Sequence, residues 1–315
     1  MEEKTNILVT GGAGNVGSAL VEELIRDSNN YVVVVDNLQT GSRDKLPIAN
    51  YDNLKFIQCD VNIEDEITSV FHTFSFDYVF HYAALVGVKR TLKNPLSVLD
   101  DIDGIKNIMN LSKNTGVKRV IYSSSSEVYG EPVEYPQNEE TTPLNSRLPY
   151  AIVKNIGEAF LKSYQQEFGL DYTVFRFFNT YGPKQAKDFV ISKFINAALK
   201  NEDITIYGNG SQTRTFCYVE NNINASVAAA FSDLGKNKTI NIGSNVETSV
   251  LDLAKLIIKL TDSKSIIKYL PALKDGDMTR RNPDITIMKG LVNQKIYTLE
   301  EGLKKVLENT SFMLS

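Results

Sequence analysis

Two groups of residues in this 315-residue chain have the types and spacing needed for chemistry. Tyr150 and Lys154 stand four apart in Tyr150-Ala-Ile-Val-Lys154, so a helix sets them side by side on one face. A free phenol has a pKa of about 10 and is a poor base at neutral pH. A lysine ammonium beside it favours the phenolate and brings proton removal toward the working range. A hydroxyl from the cluster Ser123 to Ser126, Ser125 in particular, completes the site by bonding a substrate oxygen and orienting its C–H bond. The chemistry in reach is oxidation of an alcohol against a bound hydride acceptor.

The second group reads as the cradle for that acceptor. In Thr10-Gly-Gly-Ala-Gly-Asn-Val-Gly17, the glycines Gly11, Gly14 and Gly17 follow a strand-like run and open a helix-like one. Missing side chains let the backbone approach a pyrophosphate, which the N–H groups of the helix N-terminus around Asn15 and Val16 then meet. Asp36 ends the next strand-like run, nineteen residues beyond Gly17. A carboxylate there accepts from both adenosine ribose hydroxyls and repels a 2′-phosphate, which favours NAD over NADP. Arg43 is close enough in sequence to moderate that preference. Asp60 ends the third run and can take the adenine amino group. Asn37, Val61, Ala83 and Ala84 complete the expected cofactor shell.

These groups need a frame. Strand-like runs fall at Asn6–Thr10, Tyr31–Val35, Leu54–Gln58, Tyr78–Phe80, Arg119–Tyr122 and Tyr172–Phe177. Helical patterns lie between them near Val16–Arg26, Ile63–Phe71, Pro95–Asn114 and Tyr150–Phe168. Continuous apolar runs such as Tyr-Val-Val-Val-Val suit strands buried on both faces, hence a parallel, doubly wound α/β (Rossmann) sheet. After about residue 180 turn-rich segments mix with helices near Phe189–Lys200, Asn222–Phe231, Ser249–Leu260 and Leu299–Leu307. This reads as a cofactor-binding domain over 1–180 and a smaller α+β substrate lobe over 181–315, with an interleaved boundary.

Composition narrows the class. Hydrophobic residues make up 42% and charged residues 23%, which is ordinary for a globular protein. The net charge of −4 gives no general attraction to nucleic acid or anionic membrane. Met-Glu-Glu-Lys carries no basic n-region, and Ile7 to Thr10 is too short for a membrane span. Two cysteines, Cys59 and Cys217, and two histidines, His72 and His81, make a disulfide framework, metal centre or histidine triad improbable. A cytosolic, metal-free protein is the expectation.

Taken together the motifs resemble the extended short-chain dehydrogenase/reductase family, particularly its nucleotide-sugar epimerases, decarboxylases and dehydratases. The likeness spans nearly the whole chain. It rests on the glycine loop, Asp36-Asn-Leu-x-Thr-Gly41, His81-Tyr-Ala-Ala84, Ser123-Ser-Ser-Ser-Glu-Val-Tyr-Gly130, Tyr150-x-x-x-Lys154, Arg176-Phe-Phe-Asn-Thr-Tyr-Gly-Pro183 and Gly210-Ser-Gln-Thr-Arg214. It implies Ser125, Tyr150 and Lys154 as the catalytic set. It also implies Asn179 and Arg214 against the diphosphate and nucleoside of a substrate, with Tyr207 near the nucleoside and Ser126 and Glu127 near the sugar. A UDP-linked sugar as substrate, and a homodimer through the helices at Pro95–Asn114 and Tyr150–Phe168, follow from the same likeness. Asp101 departs from it, since relatives usually carry Asn there, and Tyr82 is bulkier than the usual leucine.

Such enzymes share a first step, in which the tyrosine takes the 4-hydroxyl proton as the C4 hydride passes to NAD. A 4,6-dehydratase needs an Asp-Glu pair after the catalytic hydroxyl; Ser126-Glu127 lacks the acid. A uronate decarboxylase needs a cation for the 5-carboxylate, and Arg281 in Arg280-Arg-Asn-Pro-Asp-Ile285 is a candidate. Arg281 can equally pair with a diphosphate or form a surface salt bridge. A 4-epimerase needs only room for the keto sugar to turn over. The Pro-Tyr-Ala helix start and the Asp36-Asn-Leu run look more like epimerases, so a UDP-hexose 4-epimerase leads and the decarboxylase follows. Non-catalytic NAD-binding regulators of this fold lack the Tyr/Lys pair, which this chain retains.

Overall fold

The computed structural model describes residues 4–47, 51–87, 91, 94–131, 133–272 and 280–314. A parallel sheet is formed by β1 (Thr5–Thr10), β2 (Asn30–Asp36), β3 (Leu54–Gln58), β4 (Tyr78–His81), β5 (Arg119–Ser125), β6 (Asp171–Phe177) and a seventh strand, Lys238–Ile242. Its order is Lys238–Ile242, β6, β5, β4, β1, β2, β3. The chain reverses direction of travel between β1 and β4, and the ligand crevice of such a sheet opens at the carboxyl ends beside that point.

Valine repetition in β2 shows why these runs become strands. Val32 and Val34 join Ile7, Val9, Phe80 and Phe175 in one core, while Val33 and Val35 join Leu8, Val79 and Val174 in the other. Side chains alternate across a strand, so an all-apolar run serves both faces only when both are covered. The helices Asn15–Leu24 and Val219–Ala230 supply Leu20, Val21 and Ile223 to the first core. The helices Glu64–Thr73, Asp101–Thr115 and Pro149–Phe168 supply Ile67, Ile105 and Val153 to the second.

The sheet differs from expectation in one strand. Lys238–Ile242 comes from the second half of the chain and pairs with β6 in parallel, Ile240 opposite Phe175. Its apolar signal is broken by Asn241, which is fully buried. The helix expected as one stretch over Pro95–Asn114 divides into Pro95–Leu99 and Asp101–Thr115. At the junction the Asp103 N–H bonds the Asp100 carbonyl at 3.0 Å, an i→i+3 turn tighter than the α ladder. No helix among the described residues is long and apolar enough to cross a membrane.

The helix Pro149–Phe168 begins with Pro at its first turn and ends at Gly169, whose φ of +72° is the left-handed stop that glycine permits. Tyr150, Lys154 and Glu158 follow one another at four-residue spacing along it. Glu158 is buried against Arg176 of β6: Nε donates to Oε1 at 3.0 Å and Nη2 to Oε2 at 2.7 Å. Both side chains are 2% exposed. The Ser124 hydroxyl donates to the same carboxylate at 2.6 Å. Arg176 Nη1 donates to the Tyr129 hydroxyl at 2.8 Å, which donates in turn to Asn241 Oδ1 at 2.8 Å. Helix, β5, β6 and the seventh strand are thereby tied through one polar chain.

Removing one member leaves a charge stranded in the core. Glu158→Ala should therefore lower unfolding free energy by about 3–5 kcal/mol, measured by urea denaturation. A loss within about 0.5 kcal/mol, the range of ordinary surface changes, would show that the network is not structural.

Candidate active site

The glycine loop has the geometry its residues suggested. Gly11 takes φ +67°, and a Cβ there would lie 2.6 Å from the Ala83 nitrogen. A Cβ on Gly17 would lie 2.3 Å from the Gly11 carbonyl. Gly14 caps the helix Asn15–Leu24 with no side-chain hydrogen bond. The first N–H groups of that helix are thus left for an anion. Thr10 Oγ1 accepts from the Tyr82 and Ala83 N–H groups, each at 3.1 Å, and bonds His81 Nδ1 at 2.8 Å. Burial pushes His81 down to about 3, so the ring is neutral; with Thr10 Oγ1 already accepting two N–H groups, its hydroxyl proton is the one left to donate to Nδ1.

Asp36 is held from two sides. The Ala13 N–H donates to Oδ2 at 3.0 Å and the Leu38 N–H to Oδ1 at 2.8 Å. Burial nevertheless raises its pKa, with these two bonds opposing. Asn37 Nδ2 donates to Asp60 Oδ2 at 2.9 Å, which joins the ends of β2 and β3. Arg43 lies over the Phe56 ring at 5.5 Å. Gly11, Gly14, Asn15, Val16, Gly17, Asp36, Asn37, Asp60, Val61, Ala83 and Ala84 all line one cavity of about 480 Å³. The residues fit a dinucleotide: side-chain-free backbone at the turn, open helix N–H groups, and a carboxylate at the end of β2.

Ser125, Tyr150, Lys154 and Asn179 line the same cavity. Ser125 ends β5 and accepts the Glu127 N–H at 3.2 Å, starting a short 3-10 turn. Lys154 is buried, its Nζ 4.9 Å from the Tyr122 ring centre and 5.8 Å from that of Tyr150. Burial lowers its pKa to about 8, with the Asp101 carboxylate pulling the other way. Asp101 accepts the Leu85 N–H at 2.8 Å and also lines the cavity.

Tyr150 departs from the sequence expectation. Burial raises its pKa above the usual phenol value; a hydrogen bond with Ser125 lowers it, Glu127 and Asp101 raise it, and Arg281 lowers it. The task assigned to Lys154 is shared here by the Ser125 hydroxyl and the Arg281 guanidinium, while Lys154 is itself weakened by burial. The protein alone holds Tyr150 as a phenol.

Arg281 is a second correction to a reading left open. It is 6% exposed, so it is no surface ion pair. Nη2 meets Glu127 Oε1 at 2.7 Å, and Nη1 donates to Ser126 Oγ at 3.0 Å. Ser126, Glu127 and Arg281 thus form one group next to Ser125, and none of the three lines the cavity that Ser125 and Tyr150 line. Asn179 adopts φ +40° and its Nδ2 donates to the Thr215 carbonyl at 3.0 Å. Tyr207 and Arg214 do not line this cavity. Tyr207 ends the strand Ile204–Tyr207 and is partly exposed, and Arg214 Nη1 donates to the Thr213 carbonyl at 2.7 Å. Sequence reasoning missed Glu158, although its place four residues after Lys154 was a usable signal. It also missed Phe177 and Phe189, cavity residues that no spacing marks.

The profile of the NAD dependent epimerase/dehydratase family matches residues 7–243. UDP-glucuronic acid decarboxylase 1 of Danio rerio is 35% identical over 316 residues, covering 98% of this chain and 73% of that protein. UDP-N-acetyl-alpha-D-glucosaminuronate decarboxylase of Bacillus cytotoxicus is 35% identical over 321 residues, covering 97% of each. Among solved structures, UDP-glucose 4-epimerase of Thermotoga maritima, crystallised with UDP-glucose, superposes with a TM-score of 0.90 at 34% identity, covering 97% of this chain and 98% of that one.

The clamped Asp36 carboxylate should make NAD bind at least about tenfold more tightly than NADP, or about 1.4 kcal/mol, by titration calorimetry. Asp36→Ser should narrow the gap. Equal affinities in the unaltered protein would remove Asp36 from this role.

Proposed function

The chain belongs to the NAD dependent epimerase/dehydratase family, and from that premise we propose that it decarboxylates a UDP-linked uronic acid through a 4-keto sugar. The observation that carries this reading is the buried Arg281, held by Ser126 and Glu127 and close enough to Tyr150 to act on its acidity. Tyr150 must reach O4 of the sugar, and a 5-carboxylate is attached one carbon away. A cation whose field reaches Tyr150 is, in this reading, the partner for that carboxylate. Burying a guanidinium costs several kcal/mol even when it is paired. A site for a neutral hexose has no use for that cost next to its base.

In this reading Ser125 donates to O4 and orients it, and Tyr150 takes the O4 proton. The two-electron chemistry at C4 is what NAD supplies when bound, with no net oxidant consumed. The glycine loop, Asp36 and Asp60 would hold it, and Lys154 would meet its nicotinamide ribose. The 4-keto uronate is a β-keto acid. Its C5–carboxylate bond breaks, CO₂ leaves, and the electron pair passes into an enolate whose oxygen is bonded by Ser125 and the Tyr150 hydroxyl. C5 then takes a proton from solvent water, and Tyr150 returns its own to O4 as C4 is reduced. Asn179, at the cavity wall, would take the diphosphate. Tyr207 and Arg214, outside the cavity, would serve the nucleoside only where the substrate extends beyond it.

The 4-epimerase reading, which led on the sequence alone, moves to second place; it is supported by the Ser125, Tyr150 and Lys154 set, which suffices for it, and by the fold likeness to the Thermotoga maritima enzyme. Arg281 would then only brace the turn at Ser126. A homodimer belongs to either reading, through helices that leave Leu96, Leu99 and Ile152 exposed.

Incubation with UDP-glucuronate, UDP-glucose and UDP-N-acetylglucosamine, read by mass and NMR, separates the two. Expected is CO₂ from the uronate alone; inversion of a hexose without CO₂ would overturn the proposal. Tyr150→Phe should lower turnover by ~10²–10⁴-fold with NAD still bound. Arg281→Ala should cost about 1.5–3 kcal/mol in kcat/KM for the uronate, the value of a charged hydrogen bond.

A pH profile follows from Lys154. Its ammonium is fully present below about 8 and is lost as pH rises through that value, so turnover should fall on the alkaline side. Asp101→Asn removes the upward pull and should move that fall to lower pH. An unmoved alkaline limb would detach Lys154 from it.

A further inference from the structure

Arg281 lies between two residues that are gripped from the opposite side. Glu247, in the short strand Glu247–Ser249, accepts from Arg280 Nε at 2.9 Å on each oxygen, and from Arg280 Nη2 at 2.6 Å. The same carboxylate accepts from Asn282 Nδ2 at 2.8 Å. Residues on either side of Arg281 are therefore bound to one group. Arg280 and Asn282 both reach Glu247, whereas Arg281 between them reaches the other way. That way lies Ser126 and Glu127.

The rest of the segment is fixed to match. The Gln137 N–H donates to the Asn282 carbonyl at 2.7 Å, and the Asp284 N–H to the Gln137 carbonyl at 2.8 Å. The Tyr135 ring faces the Arg280 guanidinium at 4.4 Å. Glu247 also accepts from Thr213 Oγ1 at 2.9 Å, and its strand pairs with Thr213–Thr215. Hydrogen bonding from Arg280 holds the Glu247 carboxyl down at about 2, so the grip is charged throughout the working range.

We propose that Glu247 is a positioning residue that, by clasping Arg280 and Asn282 together, presents the Arg281 guanidinium to the sugar and so sets the preference for a carboxylate-bearing substrate. This rests on the decarboxylase reading for the identity of the substrate, but the clasp itself is a statement about Arg281. Glu247 touches no reacting atom; it acts through the residue it aims.

A double-mutant cycle in the full-length, NAD-loaded enzyme tests it. Glu247→Gln should raise KM for UDP-glucuronate about tenfold while changing kcat less than threefold. In an Arg281→Ala background the same change should have no further effect, because nothing remains to be aimed. A merely structural role would give equal losses in both backgrounds, and that result, or no loss with Arg281 present, overturns the proposal. Arg280→Gln opens the clasp from its exposed side and should reproduce the KM rise if Glu247→Gln folds poorly; Arg280→Lys should recover part of it. If the unaltered enzyme releases no CO₂, the decarboxylase reading falls. The cycle is then run on the hexose it does convert, and coupling or additivity there decides the clasp.

Discussion

The buried pair of Glu158 and Arg176 is the constraint around which the site is arranged. A guanidinium cannot shed its proton in a protein, so once Arg176 is enclosed by the sheet its partner must be a carboxylate in one place. Glu158 can be there only if the helix Pro149–Phe168 has one rotation and one height against β6. That rotation carries Tyr150 and Lys154 into the cavity, since they lie on the same stripe two turns and one turn earlier. The Ser124 hydroxyl on the same carboxylate registers the end of β5, and with it Ser125. Three groups from two elements are thus aligned by an interaction that touches none of the chemistry.

Much of this was legible in the residues, and what was not has physical causes. The six strands expected from apolar runs are all present because a doubly covered parallel sheet demands uninterrupted hydrophobicity. The seventh was hidden by Asn241, a polar residue whose side chain is satisfied by Tyr129, Gln137 and Asp284 from elsewhere in the chain. The glycine loop and Asp36 could be read because their requirement is local, a matter of backbone room and strand end. Arg281 could be named, but its burial and its pairing with Glu127 depend on contacts between distant segments, which no spacing encodes. The same holds for Tyr207 and Arg214, whose short strands pair with Ile267–Leu270 and Glu247–Ser249 respectively, outside the main sheet, and which do not line the main cavity.

The acidity of Tyr150 shows the limit of pairwise reasoning about charges. Four residues of separation correctly placed Lys154 beside it, yet the balance at the phenol is set by burial first and by groups from three other segments after that. The carboxylate of Asp101 presses against the phenolate while it supports the ammonium of Lys154, so a single residue shifts base and neighbour in opposite senses. A nearby positive charge delivered by a bound ligand would act on an environment already poised against ionisation. The fold keeps its base quiet until the site is filled.

The place of Lys238–Ile242 in the sheet has a consequence for how the polypeptide comes into being. As the chain leaves the ribosome, β6 is complete long before the strand that covers its outer edge has been made. A bare edge of a mostly apolar strand is a template for wrong partners, other nascent chains included. Synthesis at roughly 5–20 residues per second leaves that edge open for seconds, far longer than a hairpin needs to form. Asn241 then arrives with the strand that covers this edge and bonds Tyr129 and Gln137, so one strand both closes the central sheet and joins the interior polar chain.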